Sequence, residues 1–359
     1  MEEKFDAIIV GGGIAGLSAA MTLARGNARF LLIERGEFCG AKNVSGGVLW
    51  GSDLARLVPE YWKEEGGFER FVNHRRLTFM DEGSAFSADF KSNHFDEAPY
   101  KGVTVLRAVF DAWLAEKVQE AIDASAHPDE SFIATDILVE EILKEDGRVV
   151  GIRAGEESFY ANCVILAEGV NNLLTRQIGL EGDYVPDDYV AVGVKEVMKL
   201  DRARLEDRFQ LQGRSCLTNE FVGAGSDGVE GGGFLYTNTD SISIGLVLGL
   251  KDLKKKGKTP YDILNGFKAH PSVADMIRDA ETVEYSAHVV STGDIRALPS
   301  ELFADGVMIV GEAAHLLLNA GKAIQGMDYA MRSGILAAET AMEATKLGDF
   351  TSATLSNYR

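Results

Sequence analysis

A glycine-rich turn near the N-terminus constrains the fold of this chain more than any other feature. The pattern G-x-G-x-x-G occupies 11–16, between an apolar run over 5–10 and a run of small residues that continues to 25. A second apolar run, 30–33, follows and ends at Glu34. These changes of hydrophobic period predict a βαβ unit. An acidic residue about 20 positions beyond the glycines is typical of a Rossmann-type dinucleotide site.

Each glycine of the turn has its own physical role in such a site. Gly11 permits the tight turn, Gly13 lets a pyrophosphate approach the helix N-terminus, and Gly16 lets the helix pack closely on the strand. Glu34 is placed to accept hydrogen bonds from a ribose diol. Arg35 directly follows it and would suit a 2′-phosphate, so this motif alone leaves the identity of the dinucleotide open.

Two later turns favour FAD over a nicotinamide cofactor. The segments "VILAEGVNNLL" (164–174) and "GVMIVGEAA" (306–314) are apolar strands that each end in an acidic turn containing glycine. Such turns can bring backbone N–H groups or a carboxylate to a long cofactor, and a simple nicotinamide-binding domain has no use for them. The order of the glycine turn, Arg107, Ala167-Glu168-Gly169 and Gly311-Glu312 therefore predicts FAD.

The composition excludes several classes of protein. The chain has 359 residues, 46% of them hydrophobic and 25% charged, with a formal net charge of −19. This charge argues against nucleic acid as a partner and gives no general attraction to anionic lipids. The longest apolar stretches, such as 241–250, fall short of the roughly 18 residues that a spanning helix needs. The N-terminus is acidic and enters a strand at once, which predicts a cytoplasmic protein.

The three cysteines do not form a recognisable motif. Cys39, Cys163 and Cys216 are far apart and include no C-x-x-C pair, so neither a disulfide framework nor a cysteine-ligated cluster is predicted. We expect no metal site, and any iron–sulfur centre would have to lie on another chain. Cys39 alone is interpreted as a small buried filler.

The middle of the chain has a different pattern from its ends. Alternating apolar residues over about 180–287 predict a mostly antiparallel second layer, and a buried strand after Gly306 followed by a long helix returns the chain to the first. The first domain is therefore discontinuous. We predict an α/β fold with an FAD-binding domain from 1–76, 102–178 and 288–359, and a mostly antiparallel β domain on the substrate or quinone side from 77–101 and 179–287.

Longer segments carry a family resemblance that spans nearly the whole chain. They include "FDAIIVGGGIAG", "ERGEFCGAKNVSGGVLWG", "VLRAVFDAWLAE", "AVGVKEV", "GGGFLYTN" and "QGMDYAMRSG". The chain resembles the FixC family, which is related to electron-transfer flavoprotein:quinone oxidoreductase. These are flavoproteins of the glutathione-reductase type, in the superfamily of the aromatic hydroxylases and geranylgeranyl reductases.

The resemblance implies that one FAD is held by residues from several of these segments. The glycine turn and Glu34 would hold the ADP half, and Arg107 would lie near the pyrophosphate or the flavin. Glu168 and Gly169 would line the cofactor. Gly311 and Glu312 would meet the pyrophosphate and the ribityl chain, and residues 326–328 would reach the flavin ring. No catalytic side chain is expected, because the flavin itself performs the redox chemistry. The expected cofactor-binding residues are Gly11, Gly13, Ile14, Ala15, Gly16, Glu34, Arg35, Lys42, Ser45, Gly46, Gly47, Arg107, Ala167, Glu168, Gly169, Gly311, Glu312, Gly326 and Met327.

The resemblance also implies a function. The FAD would take electrons from an electron-transfer flavoprotein of the FixA/FixB type and pass them towards a quinone or a ferredoxin-like iron–sulfur protein. Peripheral contact with the inner face of the cytoplasmic membrane is implied as well. Two alternatives stay open: an FAD-dependent monooxygenase or geranylgeranyl-reductase-like enzyme that uses NAD(P)H, and a flavoprotein that has lost its FAD and serves as a binding subunit.

Several residues depart from the patterns of related families. Glu312 stands where FixC-like chains usually have aspartate. His315, three residues later, is typical of the aromatic hydroxylases at this position. Ser45 stands where the geranylgeranyl reductase branch carries cysteine. His288 and His315 are candidate acid–base groups that we interpret as locally hydrogen-bonded. FixC-like chains also continue for some tens of residues beyond "SNYR", so a C-terminal segment is expected to be missing.

Overall fold

Two large β-sheets and the helices packed on them make up the described part of the chain. The structure, a computed structural model, describes residues 4–43, 46–180, 186–292, 295, 297–319 and 324–358. The strands are β1 (Lys4–Val10), β2 (Phe30–Ile33), β3 (Gly47–Trp50), β4 (Phe71–Met80), β5 (Ala85–Lys91), β6 (Gly102–Val105), β7 (Phe132–Ala134), β8 (Glu141–Glu145), β9 (Arg148–Ala154), β10 (Glu157–Leu166), β11 (Val190–Lys199), β12 (Ser215–Gly223), β13 (Gly231–Thr237), β14 (Ser241–Gly249), β15 (Glu281–Ser291), β16 (Phe303–Ala304), β17 (Val307–Ile309), β18 (Leu318–Asn319) and β19 (Ile324–Gln325). The helices are α1 (Ile14–Arg25), α2 (Asp53–Leu57), α3 (Arg107–Asp123), α4 (Leu173–Ile178), α5 (Arg202–Phe209), α6 (Leu250–Lys256), α7 (Pro260–Ala269), α8 (Pro271–Ile277), α9 (Met327–Leu347) and α10 (Ser352–Leu355).

The first sheet has a parallel centre. Its strands lie in the order β7, β2, β1, β10 and β17, and each neighbouring pair is parallel. The first strand of the chain, β1, lies at the centre, with β2 and β7 on one side and the later strands β10 and β17 on the other. This is the strand order of doubly wound dinucleotide-binding folds. Helices α1, α3 and α9 cover one face, and the β8–β9 hairpin with α4 covers the other. Successive side chains of a strand point to opposite faces, so Ile9 packs with the helices and Ile8 with the hairpin. The predicted Rossmann-type α/β fold is confirmed.

Close contacts between backbones explain two of the glycines in this layer. A Cβ on Gly16 would lie 1.9 Å from the carbonyl oxygen of Gly11, where β1 ends. A Cβ on Gly334, in α9, would lie 2.1 Å from the carbonyl oxygen of Ala15. Only glycine fits at either position, so α1 packs tightly against both β1 and α9 and its N-terminus is held in one place.

The second sheet is mostly antiparallel, as the sequence predicted. Its strands lie in the order β15, β11, β14, β13, β12, β4, β6 and β3, with β5 beside β4. Among these pairs, β12 and β4 run parallel and the others run antiparallel. One face packs its own apolar core with α7, including Val194, Leu246 and Phe267. The opposite face of β11 and its neighbours is therefore available to the first layer.

The two layers share the segments near 47–50, 71–80 and 102–105. Strands β3, β4 and β6 hydrogen-bond within the second sheet, although the predicted boundaries place 47–50, 71–76 and 102–105 in the first domain. Side chains from these strands, among them Leu49 and Val103, nevertheless pack in the core formed by α1, α3 and α9. Hydrogen bonding and packing thus divide the chain differently, and the domain boundaries stay a prediction.

The alternating pattern over 132–155 is typical of a small antiparallel insertion, and strands β8 and β9 form one, with β9 also antiparallel to β10. Strand β7 instead lies parallel to β2 at the edge of the first sheet, with Leu32 opposite Ile133. Three residues are too few for a hydrophobic period to distinguish these cases.

None of the described helices is long and apolar enough to cross a membrane.

Candidate flavin site

A cavity lies between the two sheets. It has a volume of about 480 Å³, which is within the range of about 300–1,000 Å³ found for small-molecule sites. Val10, Glu34, Ala167 and Val310 line it at or just beyond the carboxyl ends of β1, β2, β10 and β17. Ligands of open parallel sheets bind at this edge. The cavity extends from there to the exposed face of the second sheet.

Most of the residues expected at the cofactor line this one cavity. Gly16 and Gly311 do not: Gly16 packs on β1, and the Gly311 N–H donates to Ser333 Oγ at 2.9 Å. Ser45 lies outside the described residues. The predicted residues that line the cavity are Gly11, Gly13, Ile14, Ala15, Glu34, Arg35, Lys42, Gly46, Gly47, Arg107, Ala167, Glu168, Gly169, Glu312, Gly326 and Met327.

The N-terminus of α1 opens into the cavity. Gly13 is the N-cap residue, and no side-chain hydrogen bond caps this end of the helix within the described structure. A Cβ on Gly13 would have Arg107 Nη2 as its nearest neighbour, at 3.6 Å, so the space in front of this turn is open. The unpaired N–H groups of a first helical turn and the helix dipole together favour an anion.

Glu34 is fixed at the end of β2 by backbone hydrogen bonds. Its side chain is 8% exposed, and its two carboxylate oxygens accept from the N–H groups of Gly12 and Gly36, each at 2.7 Å. Each oxygen retains a second lone pair, so the carboxylate can still accept hydrogen bonds from a ligand. The same residue therefore shapes the glycine turn and presents an acceptor to the cavity.

Arg107 is held in position by an aspartate that the sequence reasoning missed. Its Nε and Nη2 donate to Asp111 at 3.0 and 2.8 Å, and Asn43 Nδ2 also donates to Asp111. Asp111 is fully buried. Burial acts to lower the pKa of Arg107, but the Asp111 carboxylate outweighs it and the pKa is raised. The signal for this pair was the i, i+4 spacing of arginine and aspartate on a predicted helix.

The Glu168 carboxylate is hydrogen-bonded to the start of α4. It accepts from the N–H groups of Leu174 and Thr175 at 2.9 and 2.6 Å, and from Thr175 Oγ1 at 2.6 Å. It therefore satisfies backbone N–H groups in the first turn of α4. The backbone of Glu168 and Gly169 still lines the cavity.

Glu312 reaches across the cavity to the second sheet. Its Oε2 lies 3.7 Å from Nε2 of His288, a cavity-lining residue of β15. Its Oε1 is buried and has no hydrogen-bond partner among the described residues. A buried acceptor without a partner is costly. The oxygen is thus a candidate acceptor for a ligand hydroxyl, and the extra methylene relative to aspartate is accommodated.

His315 does not line the cavity. Its Nε2 accepts from Asn172 Nδ2 at 3.3 Å, and the residue is buried in a left-handed conformation with φ of 51°. Burial lowers the pKa of His315 below its ordinary value, and the nearby Glu312 carboxylate opposes this shift. The interpretation of His315 as locally hydrogen-bonded agrees with this geometry, whereas His288 does face the cavity.

The second sheet contributes a floor that the sequence reasoning did not describe. Gly193 and Lys195, two positions apart on β11, face the cavity, and the neighbouring strands β13, β14 and β15 add five more residues. Burial lowers the pKa of Lys195 to about 7. The signal was one lysine within the apolar alternation of "AVGVKEV", on the same face as Gly193. The residues contributed by neighbouring strands include Phe234, Val247, His288 and Val290.

Comparison with known proteins assigns both halves of this arrangement. The family described as FAD dependent oxidoreductase matches residues 6–134, and the family described as ETF-QO, ubiquinone-binding, matches residues 190–290. Protein FixC of Escherichia coli K12 is 44% identical over 358 residues, covering 100% of this chain and 81% of that protein. The chain belongs to the FixC family.

One further relative agrees with this assignment, and one solved structure shares the fold. A probable electron transfer flavoprotein-quinone oxidoreductase of E. coli K12, YdiS, is 40% identical, with coverage of 100% of this chain and 81% of that protein. A geranylgeranyl bacteriochlorophyll reductase-like protein of Thermoplasma acidophilum has the same fold, with a TM-score of 0.77, 20% identity and coverage of 100% and 83%. As the sequence predicted, the chain is an FAD-dependent oxidoreductase of the electron-transfer flavoprotein-quinone oxidoreductase type.

The residues of the cavity fit FAD. The open space in front of Gly13 suits a pyrophosphate, because a helix N-terminus faces it. The buried Glu34 carboxylate suits the ribose, and the buried, unpaired Oε1 of Glu312 suits a hydroxyl of the ribityl chain. These three features are donors and acceptors of the kinds that the parts of the cofactor require.

Proposed function

We propose that FAD lies in this cavity and carries electrons from an electron-transfer flavoprotein of the FixA/FixB type towards a quinone. A ferredoxin-like iron–sulfur protein is the other acceptor that this proposal allows. The ADP half lies against Gly13 and Glu34, and the ring lies towards Gly47 and Met327. The bound flavin supplies the redox chemistry, and the chain positions it and sets its electrostatic environment.

One observation carries the proposal. The cavity that begins at the glycine turn of α1 ends on a floor that belongs to 190–290, the segment matched by the ubiquinone-binding family. Its apolar residues Phe234, Val247 and Val290 provide a surface on which a planar, uncharged acceptor can lie. A cofactor in the first layer and an acceptor on the second layer would share one cavity.

The chain's charged residues support this division of the cavity. Arg107, oriented by Asp111, brings a positive charge to the region near Gly13, where the pyrophosphate is negative. Glu312 and His288 stand between the first layer and the floor. In this proposal the first layer binds and orients FAD, and the second layer contacts the electron acceptor.

Anaerobic reduction of the purified protein tests the electron donor. We expect a reduced electron-transfer flavoprotein to bleach the flavin absorbance rapidly, and NADH or NADPH alone to leave it oxidised. Fast bleaching by NADH or NADPH would instead support the monooxygenase or geranylgeranyl-reductase-like function. Added ferredoxin-like protein or short-chain quinone should then reoxidise the flavin, and the faster of the two identifies the acceptor.

Two adjacent residues of β15 test the quinone surface. Val290 lines the cavity, whereas Val289 is 47% exposed and its side chain points to the opposite face of the strand. V290D should slow reoxidation by quinone, because the carboxylate makes the floor polar, while reduction by the donor flavoprotein continues. V289D should behave as wild type. Equal rates of quinone reduction by V290D and V289D would contradict the proposal that the quinone lies on the cavity floor.

We also propose that an exposed apolar patch brings the protein to the inner face of the cytoplasmic membrane, where a lipid-soluble quinone is available. The patch consists of Phe79, Phe86, Phe90 and Val222, which are 37–69% exposed. Phe79 lies opposite Phe86 on β5 and beside Val222 on β12, so these three share one face. Contiguous exposed apolar surface of this kind marks contact sites.

Flotation with zwitterionic lipid vesicles tests the patch without interference from the protein's negative charge. The double substitution F86E/F90E should reduce the fraction of protein that floats with the vesicles. L347E is the matched control, because Leu347 is 63% exposed at the end of α9 and lies outside the patch. Equal flotation of both variants and wild type would contradict this contact.

A further inference from the structure

Lys195 is the buried lysine of the cavity floor, and nothing in the function derived above uses it. It is 5% exposed, in the middle of β11, between Gly245 on β14 and Ser286 on β15. Its Nζ donates to Tyr236 Oη at 3.3 Å and lies 5.6 Å from the centre of the same ring. A lysine is rarely buried to this extent, because removing an ammonium group from water is expensive.

The amine lies at the end of the cavity assigned to the flavin ring. A Cβ on Gly46 would lie 3.2 Å from Lys195 Nζ, and a Cβ on Gly47 would lie 3.0 Å from Cε of Met327. Gly46 and Gly47 thus lie between Lys195 and Met327, the first residue of α9. Both glycines, Lys195 and Met327 line the same cavity.

We propose that Lys195 compensates the charge of the flavin by binding a proton when two electrons arrive and releasing it when they leave. This inference rests on the proposed placement of FAD. Two electrons and one proton leave a net negative charge on the ring, and Lys195 takes up a second proton as –NH2 becomes –NH3⁺. In the return step two electrons and two protons reach the quinone, one proton from the ring and one from Lys195, so that charge and atoms balance.

The surroundings of Lys195 suit this role. Burial lowers the pKa of its amine from 10.5 to about 7, and the Glu284 carboxylate of β15 opposes this shift. Tyr236 on β13 contacts the amine, and His288 and Glu312 line the same cavity. A unit negative charge within about 6 Å raises a lysine pKa by about two units at an effective dielectric constant of about 20. An amine that titrates near neutral pH therefore changes protonation when the charge appears.

Proton uptake during reduction tests the proposal, and it requires neither a physiological donor nor an acceptor. The FAD-loaded protein is reduced anaerobically by light with a deazaflavin catalyst in weak buffer that contains a pH indicator. Near pH 8, about one unit above the pKa of Lys195, wild type should take up nearly one proton more per two electrons than K195M or K195R. Near pH 6 the lysine is already charged, and the three proteins should agree.

The flavin potential separates charge from a structural effect. K195M should lower the potential near pH 8 because the reduced state loses about tenfold in stability, roughly 30 mV for a two-electron couple. K195R keeps a permanent charge, so its potential should not fall, although its proton uptake is as low as that of K195M. K199M, an exposed lysine of the same strand, should match wild type in both measurements.

Two results would overturn the role of Lys195. One is wild-type proton uptake in K195M and K195R. The other is loss of FAD from both variants, since a residue that acts only on reduction is not needed to hold oxidised FAD. A failure of the proposed donor or quinone would leave the proton count unchanged, so the two proposals fail separately.

Discussion

Replacing Gly13 by alanine tests the position of the pyrophosphate directly. The φ and ψ angles of Gly13 are −87° and −176°, a region that alanine adopts without strain. Among the described residues, the nearest atom to a Cβ at this position is Nη2 of Arg107, at 3.6 Å, which is an ordinary contact distance. The new methyl group would therefore enter the cavity and leave the protein's own packing almost unchanged.

The expected effects on stability and on binding differ in size. Alanine is a poorer N-cap than glycine, so G13A should lose about 0.5–1 kcal/mol of unfolding free energy. A pyrophosphate displaced by the methyl group loses at least one charge-assisted hydrogen bond to the first turn of α1, which costs about 1.5–3 kcal/mol. The dissociation constant of FAD should therefore rise by roughly 10- to 150-fold.

The assay compares three Gly→Ala variants that differ only in position. FAD is removed, the apoprotein is titrated with FAD while flavin fluorescence is followed, and urea unfolding is measured separately. Gly266, in α7, has no atom of the described residues within 4 Å of its Cβ position, so G266A should bind FAD as wild type does and gain about 0.5–1 kcal/mol of stability. G16A should instead destabilise the fold by several kcal/mol, because its Cβ would lie 1.9 Å from a carbonyl oxygen.

Wild-type affinity for FAD in G13A would refute the placement of the pyrophosphate in front of α1. A loss of stability as large as that of G16A would refute the view that the space in front of Gly13 is open. Only weakened binding with nearly unchanged unfolding agrees with the structure.

Three further predictions concern Glu312, Lys195 and the cysteines. E312D should retain FAD, with a change in affinity of less than about tenfold. The reason is that the 3.7 Å contact between Glu312 and His288 is partly exposed and contributes little. Fluorescence titration measures the affinity, and complete loss of flavin would show that the longer side chain is required. K195M should be more stable to urea than wild type near pH 6.5, with a smaller advantage near pH 9.5. The reason is that the unfolded chain binds more protons than the folded chain between about pH 7 and 10.5, so the stability of the wild type rises with pH in that window. A difference in unfolding free energy between K195M and wild type that stays constant with pH would contradict the burial of a titrating amine. Burial raises the pKa of the Cys39 and Cys163 thiols to about 12 and that of Cys216 to about 11, so a thiol reagent near pH 8 should label the native protein slowly and the urea-unfolded protein at all three sites; rapid labelling of the native chain would contradict their burial.

The first layer was largely predictable from local sequence. The glycine turn, the helix after it and the acidic end of β2 all lie between residues 11 and 34, and each depends on backbone geometry that short-range contacts impose. The long helix predicted after the buried strand near Gly306 is present at Met327–Leu347, and it was recognisable because its apolar period is continuous. The short strand β7 was not, because three residues carry no reliable period.

The direction of individual acidic side chains was not predictable. Glu168 and Glu312 follow similar apolar strands, and the sequence assigned them similar roles. In the structure the Glu168 carboxylate satisfies backbone N–H groups of α4, whereas Glu312 reaches His288 on another sheet. The difference depends on which partner each carboxylate meets within a few ångströms, and those partners come from distant parts of the chain.

The amino-acid sequence by itself determined the class of fold, the dinucleotide turn, the predicted cofactor and the family, because these follow from spacing, periodicity and residue type. Only the tertiary structure decided that Lys195 lies buried beside Gly46, that Asp111 orients Arg107, and that the floor of the cavity comes from β11 and its neighbours. The physical reason is that strand register determines which alternate residues face the cavity, and burial then determines their charge. Both are set by contacts between segments that are distant in the sequence.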